Sequence, residues 1–242
     1  MRRKKRLKKW LIGVFEKPIF YFCLFFIVIN LCFTKQILDS NGIDGFIIVT
    51  VIEVLIEILS IWVLVVMKRR GVPLEKRFLF LAIILGVLFI ALLPPGQSPD
   101  EVTHFKRVYG ISDGFFVPEE IEGTNGKVGS EIPVGTDFLS RDPEHGTYSE
   151  IVERIDDSAE QKSTQIYTSA ALYSFICYIP QTLAALVGKM LGLSVLGMAY
   201  LMEVFNFIIW LSFIYFAIKF IPRFKSVVMF LSLLPIDRKS VV

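Results

Sequence analysis

The sequence predicts an all-α polytopic membrane protein of about five spans, with one long extracytoplasmic loop that carries surface helices. Three observations predict it. The 242 residues are 54% hydrophobic, with a mean hydropathy of +0.59, above the roughly 45–50% apolar content of soluble domains. The excess is gathered into blocks long enough to cross ~30 Å of hydrocarbon. The charges are segregated between those blocks, and the first nine residues, MRRKKRLKK, hold seven basic side chains and no acidic one. The blocks lack the period-two alternation of a barrel, so helices are the spanning elements.

Span 1 covers about Pro18 to Leu38. No small-x-small cleavage site follows its Pro18–Phe33 run, so it reads as an uncleaved span and not as a signal peptide. The preceding Arg6–Phe15 can rest on the inner leaflet, with Trp10 at the interface. Span 2 covers about Gly45 to Met67 and span 3 about Phe78 to Leu93. Span 2 carries Glu53 and Glu57, four apart, which either face a neighbouring span or line a proton or ion path. Lys68, Arg69, Arg70, Lys76 and Arg77 lie between spans 2 and 3. The positive-inside rule places them and the N-terminus in the cytosol, and Thr34–Asp44 and everything after Pro94 outside.

Residues 96–168 then form an outer segment with 15 acidic and 6 basic residues, a net charge of −9. EGTNGKVGSEIPVGTD is rich in turn residues and reads as loop. EIVERIDDSAEQK reads as a solvated helix, and His145 as an exposed loop histidine. After Ser169, ALYSFICYIPQTLAALVGKMLGL either crosses the membrane or lies on its outer surface. Pro180 in mid-segment favours the surface helix. With a surface helix there, Leu193–Phe220 crosses inward and delivers Lys219, Arg223 and Lys225 to the cytosol. Lys219 then snorkels to the inner interface. A last span begins near Val227. The closing DRKSVV, residues 237–242, resembles translated sequencing adapter, and the natural protein is expected to continue beyond it. Residues 1–77 thus form a basic N-terminus with two extra spans, and residues 78–236 a membrane domain that contains the outer loop. Cys23, Cys32 and Cys177 all lie in apolar sequence and read as inert thiols.

The stretch SPDEVTHFKRVYGISDG, from Ser98 to Gly114, opens the outer segment and admits two readings. As a helix start, Ser98 is the N-cap, Pro99 the first helical residue and Glu101 the partner of a capping box. As a site, Asp100 and Glu101 share a helical face with His104, four and three residues on, and Arg107 lies three beyond. Two carboxylates and an imidazole at the lipid–water boundary can deprotonate a hydroxyl or hold a divalent cation.

Pro99-Asp100-Glu101, His104-Phe105, Tyr109, Ile111-Ser112 and Gly114 after a span resemble the bacterial membrane proteins of the domain-of-unknown-function 2142 family. Tyr173, Tyr178-Ile179-Pro180-Gln181, Gly188, Leu191-Gly192, Asn206 and Leu233-Leu234-Pro235 are similar to its later positions. Phe175 departs from the family pattern where proline is common, and Glu203 stands where an arginine precedes the asparagine. The family in turn resembles the GT-C class of integral-membrane glycosyltransferases. That resemblance implies transfer of a sugar from a polyprenyl-phosphate donor to a cell-surface polysaccharide. It implies Asp100 as general base or ligand of a Mg or Mn ion, with Glu101 as its partner. It places His104 and Arg107 on the donor phosphate, and Tyr109, Tyr178 and Gln181 in substrate binding. The expected partners are the lipid bilayer, the polyprenyl-phosphate sugar and a surface glycan acceptor, and no nucleic acid. A transporter or flippase-like subunit of glycan export, or a non-catalytic membrane scaffold, is the alternative.

Overall fold

The structure is a computed structural model that describes residues 47, 50–52, 54–56, 58–92, 95–96, 100–139 and 161–233. Span 1, Glu53, Glu57, Ser98, Pro99, His145, the EIVERIDDSAEQK stretch except Gln161 and Lys162, and residues 237–242 lie outside the described residues. The chain forms two compact units. One holds the described residues up to 83 and from 213, the other residues 84–212.

In the first unit, helix α1 runs Thr50–Arg69. Its end is hydrogen-bonded as a Schellman motif, with Val72 N–H donating to Met67 O at 3.0 Å and Gly71 N–H to Lys68 O at 3.1 Å. Pro73 restarts the chain, and its carbonyl accepts from the amides of Lys76 and Arg77 as helix α2, Leu74–Leu92, begins. The first turn of α2 carries Glu75, Lys76 and Arg77. Its apolar part, from Phe78, is therefore shorter than the helix, and α2 is not among the described helices long and apolar enough to cross a membrane. Those are α1 and the later helix Val195–Phe220, so the expected third span differs from them by its charged first turn.

The second unit is built around helix α3, Glu101–Ser112. Its buried side is Phe105, Arg107, Val108, Tyr109, Gly110 and Ile111. Asp100 is its N-cap, in the left-handed conformation at φ 64°, and no side-chain cap bond is made. Past the end of α3, the outer segment is not loop alone. Strands β1 (Glu119–Glu120), β2 (Val128–Pro133) and β3 (Lys162–Ile166) form an antiparallel sheet in that order, which corrects the all-α expectation. Gly129 pairs with Ile166 and Pro133 with Lys162. The Asn125-Gly126 pair, both at positive φ, makes the tight connection into β2. A 3-10 turn, Val134–Leu139, follows β2.

Beyond β3, a four-residue helix α4 (Thr168–Ala171) and a 3-10 turn (Phe175–Tyr178) lead into α5, Ile179–Met190. Pro180 sits in the first turn of α5, where its missing N–H costs nothing, so it starts the helix and does not kink one. Twelve residues span about 18 Å, too short to cross the hydrocarbon. α5 has two faces. Gln181, Ala184, Ala185 and Gly188 are buried, whereas Ile179, Leu183 and Met190 are exposed. Gly192, at φ 65°, ends it, with Leu193 N–H returning to Gly188 O at 2.9 Å. Helix α6, Val195–Phe220, follows at once. It is apolar all round and leaves Ile208, Phe213 and Phe220 exposed. Such a surface is stable against lipid and not against water. A final helix α7, Lys225–Leu233, holds the described part of the last expected span. The core of the second unit joins Phe105, Val108 and Tyr109 of α3 to Ile132 of β2, Ala184 of α5 and Met198 of α6.

Candidate functional site

Three helical stripes converge on one opening. α3 contributes Glu101, His104, Phe105 and Val108, at the i, i+3, i+4, i+7 spacing that defines a single helix face. α6 contributes Ala199, Met202, Glu203 and Asn206 at the same spacing. Tyr178 and Gln181, three apart, close the third side, with Pro95 at the edge. The open pocket between them has a volume of about 30 Å³. Glu203 lies eight residues inside α6, about 12 Å along a helix that is long enough to cross a membrane. An ionisable residue at that depth faces protein and not lipid when its surroundings are polar, and here it faces the pocket.

His104 Nδ1 lies 2.8 Å from the Tyr178 hydroxyl. The hydroxyl also donates to Ala170 O at 3.4 Å. When its proton is used there, His104 donates through Nδ1–H, and Nε2 keeps the lone pair of a base. Burial holds the His104 imidazole below its ordinary pKa, against the opposing pull of the Asp100 charge, so the ring is neutral at pH 7. Burial pushes the Tyr178 phenol up to about 12, with Arg107 pulling the other way, so it remains a donor. The Tyr173 ring lies 5.5 Å from the imidazole, tilted 56° to it.

The residues expected in the site divide into two groups. Glu101, His104, Tyr178 and Gln181 line the pocket. Asp100 is exposed beside it, within electrostatic reach of His104. Arg107 and Tyr109 lie elsewhere. Arg107 is 1% exposed, and its two terminal nitrogens donate to the carbonyls of Phe115 and Phe116 at 2.9 and 2.7 Å. Its guanidinium stands 5.9 Å from the Tyr167 ring. It ties the loop after α3 back onto the helix. Tyr109 is buried beneath two ammonium groups, Lys189 at 3.8 Å and Lys162 at 5.2 Å from its ring. Both lysines pair with Asp113, at 2.7 and 3.0 Å, and fasten α3 to α5 and β3. Burial pushes the Asp113 carboxyl up, but the hydrogen bonds from Lys189 and Lys162 outweigh it and hold it low. The two lysines respond differently. Burial wins at Lys189 and lowers it, whereas the bond to Asp113 overcomes burial at Lys162 and raises it.

Among the described residues no three His, Cys, Asp or Glu side chains gather as a metal-binding group. Cys177 is exposed on the 3-10 turn, outside any buried apolar setting. Glu203 and Asn206 are the pocket residues that motif reading left without a role. Their signal is two polar side chains three apart in an otherwise apolar span.

A family described as predicted membrane protein (DUF2142) matches residues 80–237. No curated protein and no solved structure matches the chain. The chain belongs to this family of predicted membrane proteins.

Proposed function

We propose that this DUF2142 protein is a membrane glycosyltransferase that takes a sugar from a polyprenyl-phosphate donor and adds it to a cell-surface polysaccharide. The observation that carries the reading is the neutral His104, held at 2.8 Å by Tyr178 in a pocket that a membrane-length helix helps to line, with Asp100 beside it. In the reaction an acceptor hydroxyl attacks the anomeric carbon. The bond from that carbon to the donor phosphate oxygen breaks, and the phosphate leaves with the electron pair. The hydroxyl proton passes to the Asp100 carboxylate, which is exposed and can meet an acceptor from outside. His104 and Glu101 position the hydroxyl. Arg107 has no part in this scheme, because its terminal nitrogens are committed to Phe115 and Phe116.

The left-handed backbone of Asp100 supports the reading. A non-glycine residue at φ 64° costs about 1–2 kcal/mol, and such strain gathers at functional positions. Glu203 and Asn206 within α6 favour a second reading, a transporter with a polar path across the span. The two separate on one experiment. Asp100→Asn in the chromosomal gene, with protein level checked in membranes, removes one sugar from the surface polysaccharide if the chain is a transferase. A glycan of unchanged composition in lower amount supports the transporter. Unchanged composition and amount, with the variant present, refutes the catalytic role.

A further inference from the structure

We propose that the loop after α3 and the 3-10 turn before α5 form one apolar wedge, which inserts into the lipid surface at the start of α6. This goes beyond the transferase reading and does not rest on it. Val117 is 78% exposed and Leu172 88% exposed, and Phe116, Phe175 and Ile176 are exposed with them. The two segments are distant in sequence yet meet, with the rings of Phe116 and Phe175 5.6 Å apart, edge to face. From Ile176 the exposed apolar surface continues along α5 through Ile179, Leu183 and Met190, at the spacing of one helix face. Contiguous exposed apolar surface marks a docking face.

The wedge is held in place by the backbone beneath it. Gly114, at φ 99°, turns the chain so that Phe115 N–H returns to Gly110 O at 3.0 Å. The buried Arg107 fork then grips the carbonyls of Phe115 and Phe116, and so fixes the segment that presents Phe116 and Val117. The position of α6 names lipid as the occupant. Its 26 residues span about 39 Å, more than ~30 Å of hydrocarbon, so its start lies at a membrane boundary. The turn at Gly192, with Leu193 N–H on Gly188 O, keeps the end of α5 beside that start. Charge agrees. Residues 172–191 carry one charged side chain, Lys189, and it pairs with Asp113, whereas about a quarter of the residues in an ordinary soluble domain are charged. The loop wedge is bounded by Asp113 before it and the exposed Glu119 and Glu120 after it. Insertion therefore stops at the boundary of headgroups and acyl chains, ~5–10 Å deep.

The test uses the full chain in phosphatidylcholine nanodiscs, with Cys23, Cys32 and Cys177 replaced by alanine and one nitroxide attached at a time. Val117→Cys and Leu172→Cys report on the wedge, and Glu122→Cys on the exposed turn between β1 and β2. Power-saturation EPR compares relaxation by oxygen, which concentrates in lipid, with relaxation by a nickel chelate, which stays in water. The expected result is that oxygen outweighs nickel at Val117 and Leu172 and that nickel outweighs oxygen at Glu122. Nickel outweighing oxygen at both wedge positions places them in water and overturns the proposal. Weak relaxation by both reagents means that another protein or a second copy covers the wedge, which also overturns it. Adding Arg107→Met should move the Val117 nitroxide towards water and leave Leu172 where it is. An unmoved Val117 removes Arg107 as the positioning residue. A second measurement needs no variant. The wild-type chain in vesicles of phosphatidylcholine carrying a diazirine near the headgroup is irradiated and its peptides are mapped. Lipid adducts on residues 115–117 and 172–176 support the wedge. Adducts on α6 with none on those two segments refute it.

Discussion

Replacing Arg107 by methionine separates a structural task from a substrate contact. The guanidinium makes two hydrogen bonds, to Phe115 O at 2.9 Å and Phe116 O at 2.7 Å. Bonds from a charged donor contribute ~1.5–3 kcal/mol each. Phe116 is exposed, so water replaces that bond in part, and the pair is worth about 3 kcal/mol. Losing the stack on Tyr167, at 5.9 Å, costs a further ~0.5–1 kcal/mol. One term runs the other way. Nε of Arg107 is buried without a partner, and removing it returns about 1 kcal/mol. The net destabilisation is about 2–3 kcal/mol. In a chain of this length each kcal/mol moves the unfolding midpoint by about 2–4 °C, so the expected fall is about 4–12 °C. Thermal unfolding of the purified chain in detergent, followed by tryptophan fluorescence, measures it. Surface glycan in a strain grown well below that midpoint should be normal. A midpoint within a degree or two of wild type together with a lost sugar would falsify the structural assignment and return Arg107 to the substrate.

Asp100→Gly relieves the left-handed strain at φ 64° and should raise stability by about 1 kcal/mol, while abolishing transfer; a lower midpoint would show that the carboxylate supports the fold. His104 has its pKa lowered by folding, so the unfolded chain binds more protons at mildly acidic pH. Stability should therefore be full at neutral pH and fall as pH drops through the ordinary histidine pKa near 6.5, and His104→Gln should flatten that part of the profile of midpoint against pH. A slope identical in wild type and variant assigns the effect to another group. Gly110→Val places a side chain where a Cβ alone would stand 2.8 Å from Ser130 Oγ and 2.9 Å from Tyr167 Oη. Overpacking there should cost about 1–3 kcal/mol, and the sheet should become sensitive to limited proteolysis before the helices do. An unaltered digestion pattern would mean that α3 and β2 can separate freely.

Sequence alone determined the elements whose cause is local. Val195–Phe220 is a helix because nothing in it interrupts a long apolar run, and the expected Leu193 start missed by two residues because Leu193 bonds back to Gly188. The brevity of α5 was legible in Pro180 and Gly192, a start and a stop twelve residues apart. The face shared by Glu101 and His104 follows from helical periodicity. What pairs with it does not. β2 and β3 are separated by a long segment, and strands as short and polar as VGSEIP and KSTQI acquire their identity only from each other, although Asn125-Gly126 marked a hairpin entrance. Tyr178 meets His104 across 74 positions of sequence, a contact set by the way α5 docks on α3. Arg107 makes the same point. Its three-residue spacing from His104 is that of Glu101 and says nothing of its partner; the carbonyls of Phe115 and Phe116, folded back after α3, fill its fork. Spacing fixes which residues share one helix face. Only packing decides what stands opposite, because that depends on parts of the chain far away in sequence brought together by burial.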